Sequence, residues 1–131
     1  MPESVRTAKT CPFCEPDPAR VIHCEPECLA LYDGFPVSAG HVLVVSRRHA
    51  GSIFDLNDEE WQALWNMVRA VLRELAESKH PDGFNIGVND GAAAGQTIAH
   101  AHVHVIPRRS GDVEDPRGGV RWVIPAKVRY W

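Results

Sequence analysis

Apolar residues fall into several short runs along this chain, and one longer stretch repeats them at helical spacing. Arg20 to Cys24 and Cys28 to Tyr32 are two β-rich runs around Glu25-Pro26-Glu27, which predicts a hairpin. Asp33 to Gly40 is a loop by its Gly, Pro and Ser content, and His41 to Ser46 predicts a buried strand. Trp61, Leu64, Trp65, Val68, Leu72 and Leu75 recur three or four apart, predicting a helix with one apolar stripe on which both tryptophans pack into the core. Asn57 and Glu60 form a capping-box start with acids in the first turn, and Pro81 sets the helix end near Lys79. Gly83 to Asn89 predicts another strand, with Phe84, Ile86 and Val88 on one face, Asp90 to Gln96 a loop, and Ile98 to Ile106 a last strand. Residues 1–10 read as a loose N-terminal segment and residues 108–131 as an irregular C-terminal tail. The pattern predicts one α+β domain over residues 1–131, with an antiparallel sheet of about five strands and one long helix.

The last strand carries histidines at 100, 102 and 104. Alternation predicts that these three share one face, while Ala99, Ala101, Val103 and Val105 pack the other face against the helix. A rise of about 3.3 Å per residue puts neighbouring histidines about 6.6 Å apart and the outer two about 13 Å apart. Zinc–nitrogen bonds are about 2 Å, so one ion could take two adjacent rings but hardly all three. The spacing favours a division of labour, in which one neutral imidazole attacks an electrophilic phosphorus and its neighbours handle phosphate charge. The loop before the strand suits an anion. Gly91 and Gly95 allow close backbone approach, and Gln96 and Thr97 add polar groups.

Composition narrows the partners. The chain has 131 residues and a net charge of -3, which argues against a nucleic-acid binder that relies on bulk electrostatics. No apolar run reaches the roughly 18 residues that a membrane span needs. The opening MPESVRTAKT has no apolar core of a secretory signal, so a cytoplasmic protein with reduced thiols is expected. Cys11, Cys14, Cys24 and Cys28 leave three readings open: a redox pair, a four-cysteine zinc site, or free thiols.

Val88-Asn89-Asp90-Gly91-Ala92-Ala93-Ala94-Gly95-Gln96-Thr97, followed by His100-Ala-His102-Val-His104-Val-Ile, resembles the signature of the histidine-triad (HIT) superfamily. Pro36-Val37, Gly40-His41-Val42-Leu43-Val44 and the Asp55-Leu56-Asn57-Asp58-Glu59 helix start resemble further segments of it. The resemblance covers about residues 11 to 109 and mixes marks of the fragile-histidine-triad and Hint branches. It implies a HIT-like fold, with a five-stranded antiparallel sheet, one long helix, and sheets joined across a homodimer. It implies a hydrolase that cleaves purine nucleotides at the α-phosphorus, either dinucleoside polyphosphates or nucleoside phosphoramidates. A nucleotidyl transferase or phosphorylase, and a nucleotide-binding regulator with little turnover, are the alternatives. By position, His102 is the nucleophile, His104 handles the phosphate and the leaving group, and Gln96 and Thr97 join the catalytic end. Asp33, His41, Leu43, Asn89, Gly95 and Phe13 are the implied nucleotide-binding residues. Relatives with Cys-x-x-Cys imply a structural zinc on Cys11, Cys14, His49 and His100, and magnesium accompanying the substrate is a further candidate cofactor. The tail ending Arg129-Tyr130-Trp131 is a candidate to reach a partner's site.

Overall fold

The computed structural model describes residues 11–131, and the loose segment expected at residues 1–10 lies outside them. Five strands, β1 (Val21–Cys24), β2 (Cys28–Tyr32), β3 (Val42–Ser46), β4 (Gly83–Gly87) and β5 (His102–Arg108), surround one long helix in the chain order, α1 (Asp58–Lys79). The strands form one sheet in the order β1-β2-β3-β5-β4, and every neighbouring pair is antiparallel. This is the α+β architecture that the hydrophobic pattern predicts. Short apolar runs can only bury themselves by pairing, and α1 then covers one face of the sheet.

Alternation along the strands separates two apolar clusters. Ala30, Val42, Val44, Val103 and Val105 point at α1 and pack with Leu64, Met67, Val68, Val71 and Leu75. Leu29, Leu31, Leu43 and Val45 point the other way and pack with Cys11 and Phe13. Each fully buried Val or Leu contributes roughly 1.5–3 kcal/mol, so the helix face is the main source of stability. The register sets the functional face. Leu43 lies opposite His104, and Val45 opposite His102.

The helix begins as expected. Asn57 Oδ1 accepts from the Glu60 N–H at 2.8 Å, and Glu60 Oε1 accepts from the Asn57 N–H at 2.9 Å. The predicted stripe faces the core at Leu64, Trp65, Val68, Leu72 and Leu75 but not at Trp61. Trp61 is 44% exposed, while Glu60, Met67 and Val71 are buried. The cause lies in the first turn, where the Arg48 guanidinium donates to both Glu60 oxygens at 2.8 and 2.9 Å. Arg48 follows β3, so this pair turns Glu60 towards the sheet and its neighbour Trp61 outward.

Two strand boundaries also differ from the sequence expectation. β4 stops at Gly87 rather than Asn89. β5 starts at His102 rather than Ile98 and runs on to Arg108. The chain bends just before β5, where the His100 N–H donates to the Ile98 carbonyl at 2.8 Å and the Ala101 N–H to the Ala50 carbonyl at 2.7 Å. His100 therefore stands outside the sheet ladder, and simple alternation does not place its ring.

Candidate functional site

The bend delivers His100 into a separate cluster. Its Nε2–H donates to the Ser46 carbonyl at 2.6 Å, which leaves Nδ1 as the free lone pair. That Nδ1 lies 3.3 Å from Cys11 Sγ and 3.4 Å from Cys14 Sγ, and His49 Nδ1 lies 3.0 Å from Cys14 Sγ. The four donor atoms all lie within 4.8 Å of one another. A tetrahedral zinc with bonds of about 2.0–2.3 Å asks for two thiolates and two imidazoles at such separations. The carbonyl on the far nitrogen of His100 is the outer-shell support that a ligating histidine needs. Without an ion the Cys14 thiol is held protonated and the His100 imidazole neutral. Burial, then the neighbouring Cys11 sulfur, push the Cys14 thiol up to about 12, and burial pushes His100 down to about 4. A cation between the sulfurs would favour both thiolates. The donor set thus fits a zinc ion. Cys24 is exposed on β1 and Cys28 lies in the helix-side core, so neither joins this cluster.

His102 opens β5 and is buried, at 7% exposure. Its Nδ1–H donates to the His100 carbonyl at 2.7 Å, so Nε2 carries the free lone pair. Burial lowers its pKa, opposed by that hydrogen bond and by Asp33, and the ring is held in its neutral form. Phe13 packs edge-on against it, with centroids 5.0 Å apart.

A second cluster lies beyond it. The Val37 N–H donates to His41 Nδ1 at 3.2 Å, so the His41 proton sits on Nε2. That Nε2–H faces His104 Nδ1 at 2.9 Å and Asp33 Oδ2 at 3.4 Å. His104 is thereby left with its own proton on Nε2. Burial, then His102 and His41, push His104 down to about 4. The other Asp33 oxygen accepts from the Phe35 N–H at 2.8 Å, so this carboxylate serves the turn as well as the site.

These groups open on a cavity of about 420 Å³, lined by Phe13, Asp33, His41, Leu43, Asn89, Gly95, Gln96, Thr97, His102 and His104 among others. All the residues assigned to catalysis and nucleotide binding from the sequence line this one space. Gln96 is placed differently from a phosphate ligand, because both ends of its amide are used within the loop. Its Oε1 accepts from the Gly91 N–H at 2.8 Å, and its Nε2 donates to the Gly51 and Ile98 carbonyls at 2.8 and 2.9 Å. Gly91 and Gly95 have φ of +92° and +93°, which a side chain would resist, and they let the loop turn back to β5.

Three contributors were not read from the sequence. Ser46 orients His100, and the Val37 backbone sets the His41 tautomer. Asp90 accepts from Ser52 Oγ and the Ile53 N–H at 2.9–3.0 Å, pinning the glycine loop to the segment before α1. Only Asp90 carried a signal, through its place before Gly91.

The chain is similar to known proteins. The HIT domain family matches residues 15–111. A bis(5'-adenosyl)-triphosphatase from Dictyostelium discoideum is 38% identical over 86 residues, covering 66% of this chain and 58% of that protein. The adenylylsulfatase HINT3 from Arabidopsis thaliana is 32% identical over 114 residues, covering 84% of this chain and 58% of that protein. The chain therefore spans about 58% of the length of these two curated relatives. Among solved structures, a Zn-bound histidine triad family protein from Mycobacterium smegmatis is similar with a TM-score of 0.73 at 32% identity, covering 92% of this chain and 94% of that one.

Proposed function

The chain belongs to the HIT domain family, and on that premise we propose that it is a nucleotide hydrolase working through a nucleotidyl-His102 intermediate. The observation that carries this reading is the hydrogen bond from His102 Nδ1–H to the His100 carbonyl, which turns a neutral, reactive Nε2 into the cavity. The Nε2 lone pair attacks the α-phosphorus. The bond from phosphorus to the distal group breaks, and that group keeps the electron pair and takes a proton from solvent. Water then attacks the phosphorus and releases a proton to solvent, the P–N bond breaks with its electron pair returning to Nε2, and the nucleotide leaves with His102 neutral again. His104 Nε2–H and the backbone of the Gly91–Gly95 loop hold the phosphate oxygens, whose charge is the main burden of such a transfer. Asp33, whose carboxylate lines the same cavity beside His41, accepts from ribose hydroxyls, and Leu43 and Phe13 wall the base pocket.

In the same reading, Cys11, Cys14, His49 and His100 hold a structural zinc. When bound, that ion supplies a fixed crosslink behind the His100 carbonyl, the group that orients His102. The outer edge of β4 is free of a strand partner among the described residues, which supports a homodimer that joins two sheets. Mass measurement in solution tests the dimer.

The central test is covalent trapping. A substrate labelled at the α-phosphorus should leave an acid-labile, base-stable label on the wild type and none on His102→Asn. Equal labelling or equal turnover by the variant would refute the assignment. Release of a nucleoside diphosphate in phosphate buffer would instead mark phosphorolysis.

A further inference from the structure

Most buried or half-buried arginines of the chain have protein partners. Arg48 holds Glu60, and Arg108 holds Asp112. In the tail, built of short 3₁₀ helices at Gly119–Val123 and Pro125–Lys127, Arg117 pairs with Asp115 and stacks over the Trp131 ring at 4.7 Å. Arg121 stacks over Tyr130 at 4.8 Å, and Arg129 lies over Trp131 at 5.8 Å, so the cations and rings of the tail serve the tail itself. Gly118, with φ of +94°, lets this segment fold over Val128. Arg20 is different. It lines the cavity that holds His102, and among the described residues it is the one lysine or arginine of that lining. Its side chain is 35% exposed, and Asp17 lies 4.0 Å from its Nε, beyond hydrogen-bond length. Its guanidinium donates to no acceptor among the described residues. A guanidinium carries five N–H donors in a fixed fork, so it suits a ligand edge with two acceptors side by side.

Two local features hold that fork in place. The Tyr32 N–H donates to the Arg20 carbonyl at 2.9 Å, which ties Arg20 to the end of β2, directly before Asp33. A Cβ on Gly34 would come within 2.3 Å of Arg20 Nη1 and 3.2 Å of Cζ, so the guanidinium lies on the bare face of this glycine. Strand register gives the span of the site. His104 lies opposite Leu43, Leu43 opposite Leu31, and Leu31 opposite Val21. Three strand spacings, about 14 Å, separate His104 from Val21, the neighbour of Arg20. Asp33 links the two ends, since its Oδ2 lies 3.4 Å from His41 Nε2 and the next residue is the glycine under Arg20. A nucleotide with its phosphorus at His102 and its ribose at Asp33 carries its base on to Arg20. Phe35, 91% exposed and in the same lining, offers a ring for that base to stack on.

The charge beside Arg20 decides which acceptor fits. A second phosphate on the ribose would match a guanidinium, but the Asp33 carboxylate next to Gly34 opposes another anion there. A base edge is neutral and meets no such repulsion. Guanine and hypoxanthine present O6 and N7 side by side, two acceptors for one fork. Adenine presents N7 beside an N6 amino group, whose hydrogens would face the hydrogens of the guanidinium.

Resting on the hydrolase reading, we propose that Arg20, seated on Gly34, reads the edge of the base and selects a 6-oxopurine nucleotide over an adenine nucleotide. Its two terminal N–H groups donate to O6 and N7, while Asp33 keeps the ribose hydroxyls. Arg20 is thus a specificity determinant, remote from the reacting phosphorus.

Calorimetric titration of the full chain with GMP, IMP and AMP tests this. GMP and IMP should each bind about tenfold or more tightly than AMP. The preference should nearly vanish in Arg20→Met, which removes the fork, and in Arg20→Lys, which keeps the charge without the fork. Gly34→Ala changes no charge but pushes the guanidinium off its seat, and it should shrink the preference as well. Guanosine and adenosine phosphoramidates should repeat the wild-type order in kcat/KM. AMP binding as tightly as GMP, or a preference unchanged in Arg20→Met, would overturn the role of Arg20 and leave the hydrolase reading standing. A GMP preference that IMP does not share would put the contact on the 2-amino group, which also overturns the fork. Tighter binding of adenosine 3',5'-bisphosphate than of GMP would make Arg20 a ribose-phosphate ligand and refute the base reading. If none of these nucleotides binds, the hydrolase reading fails first and this proposal falls with it.

Discussion

Two imidazole clusters flank His102, and they treat their outer nitrogens in opposite ways. At His100 the outer nitrogen donates to the Ser46 carbonyl, and the inner lone pair faces two sulfurs. At His41 the outer nitrogen accepts from the Val37 amide, and the inner N–H faces His104 and Asp33. A carbonyl behind the ring makes it an electron-pair donor, suited to a metal. An amide behind the ring makes it a proton donor, suited to orienting another ring. The residue type is shared, and the backbone group behind each ring decides its use.

The sharpest way to test this contrast is to change the ring between the clusters. His102→Asn should lower kcat by about 10⁵-fold, with zinc content unchanged. A parallel loss of zinc would show that the nucleophile and the metal cluster are not separable. Next in size, Cys14→Ser should remove the zinc and lower the unfolding free energy by several kcal/mol, read by elemental analysis and urea titration. One zinc per chain in that variant would sink the ligand assignment.

The third test is pH. Above about 6.5, His104 is neutral whether the chain is folded or not. As pH falls from 6.5 to about 4, the unfolded chain takes a proton that the buried ring refuses, so the unfolding free energy drops. The drop is at most about 1.4 kcal/mol per pH unit, or roughly 3 kcal/mol across the window. Urea titrations at several pH values should show a shallower slope for His104→Gln, and equal slopes would mean that His104 is not held neutral. The smallest effect belongs to His41→Leu, which removes the donor to His104. It should lower kcat about tenfold and leave the zinc in place. Zinc loss from this variant would break the contrast between the clusters.

Much of this site was legible in the chain. Strand alternation and the helix cap follow from local rules, whereas Leu43 and Val45 opposite the histidines emerge only from the strand pairing. Strand rise argued against one ion shared by all three histidines and the resemblance implied their separate roles, yet the strand premise held for only two of them. His100 leaves the strand because its ring is held by Ser46 and faces Cys11 and Cys14, contacts that span most of the chain. The outward turn of Trp61 was hidden for a similar reason, since the Arg48–Glu60 pair joins a loop to a helix. The tail gave no periodic signal. Its order comes from cation–aromatic stacking and one left-handed glycine, which hydrophobic patterns do not record.

Cys11 and His100 lie 89 residues apart, with His49 between them in the chain. Their donor atoms can meet only after β3 and β5 have paired and the N-terminal segment has settled on the site face. The four-atom cluster is therefore a late event in folding, closing one of the longest loops in the chain. On the proposed zinc reading, metal capture would act as a clock. Its rate, followed by a zinc-sensitive dye during refolding, reports the moment when the last distant segments of this chain come together.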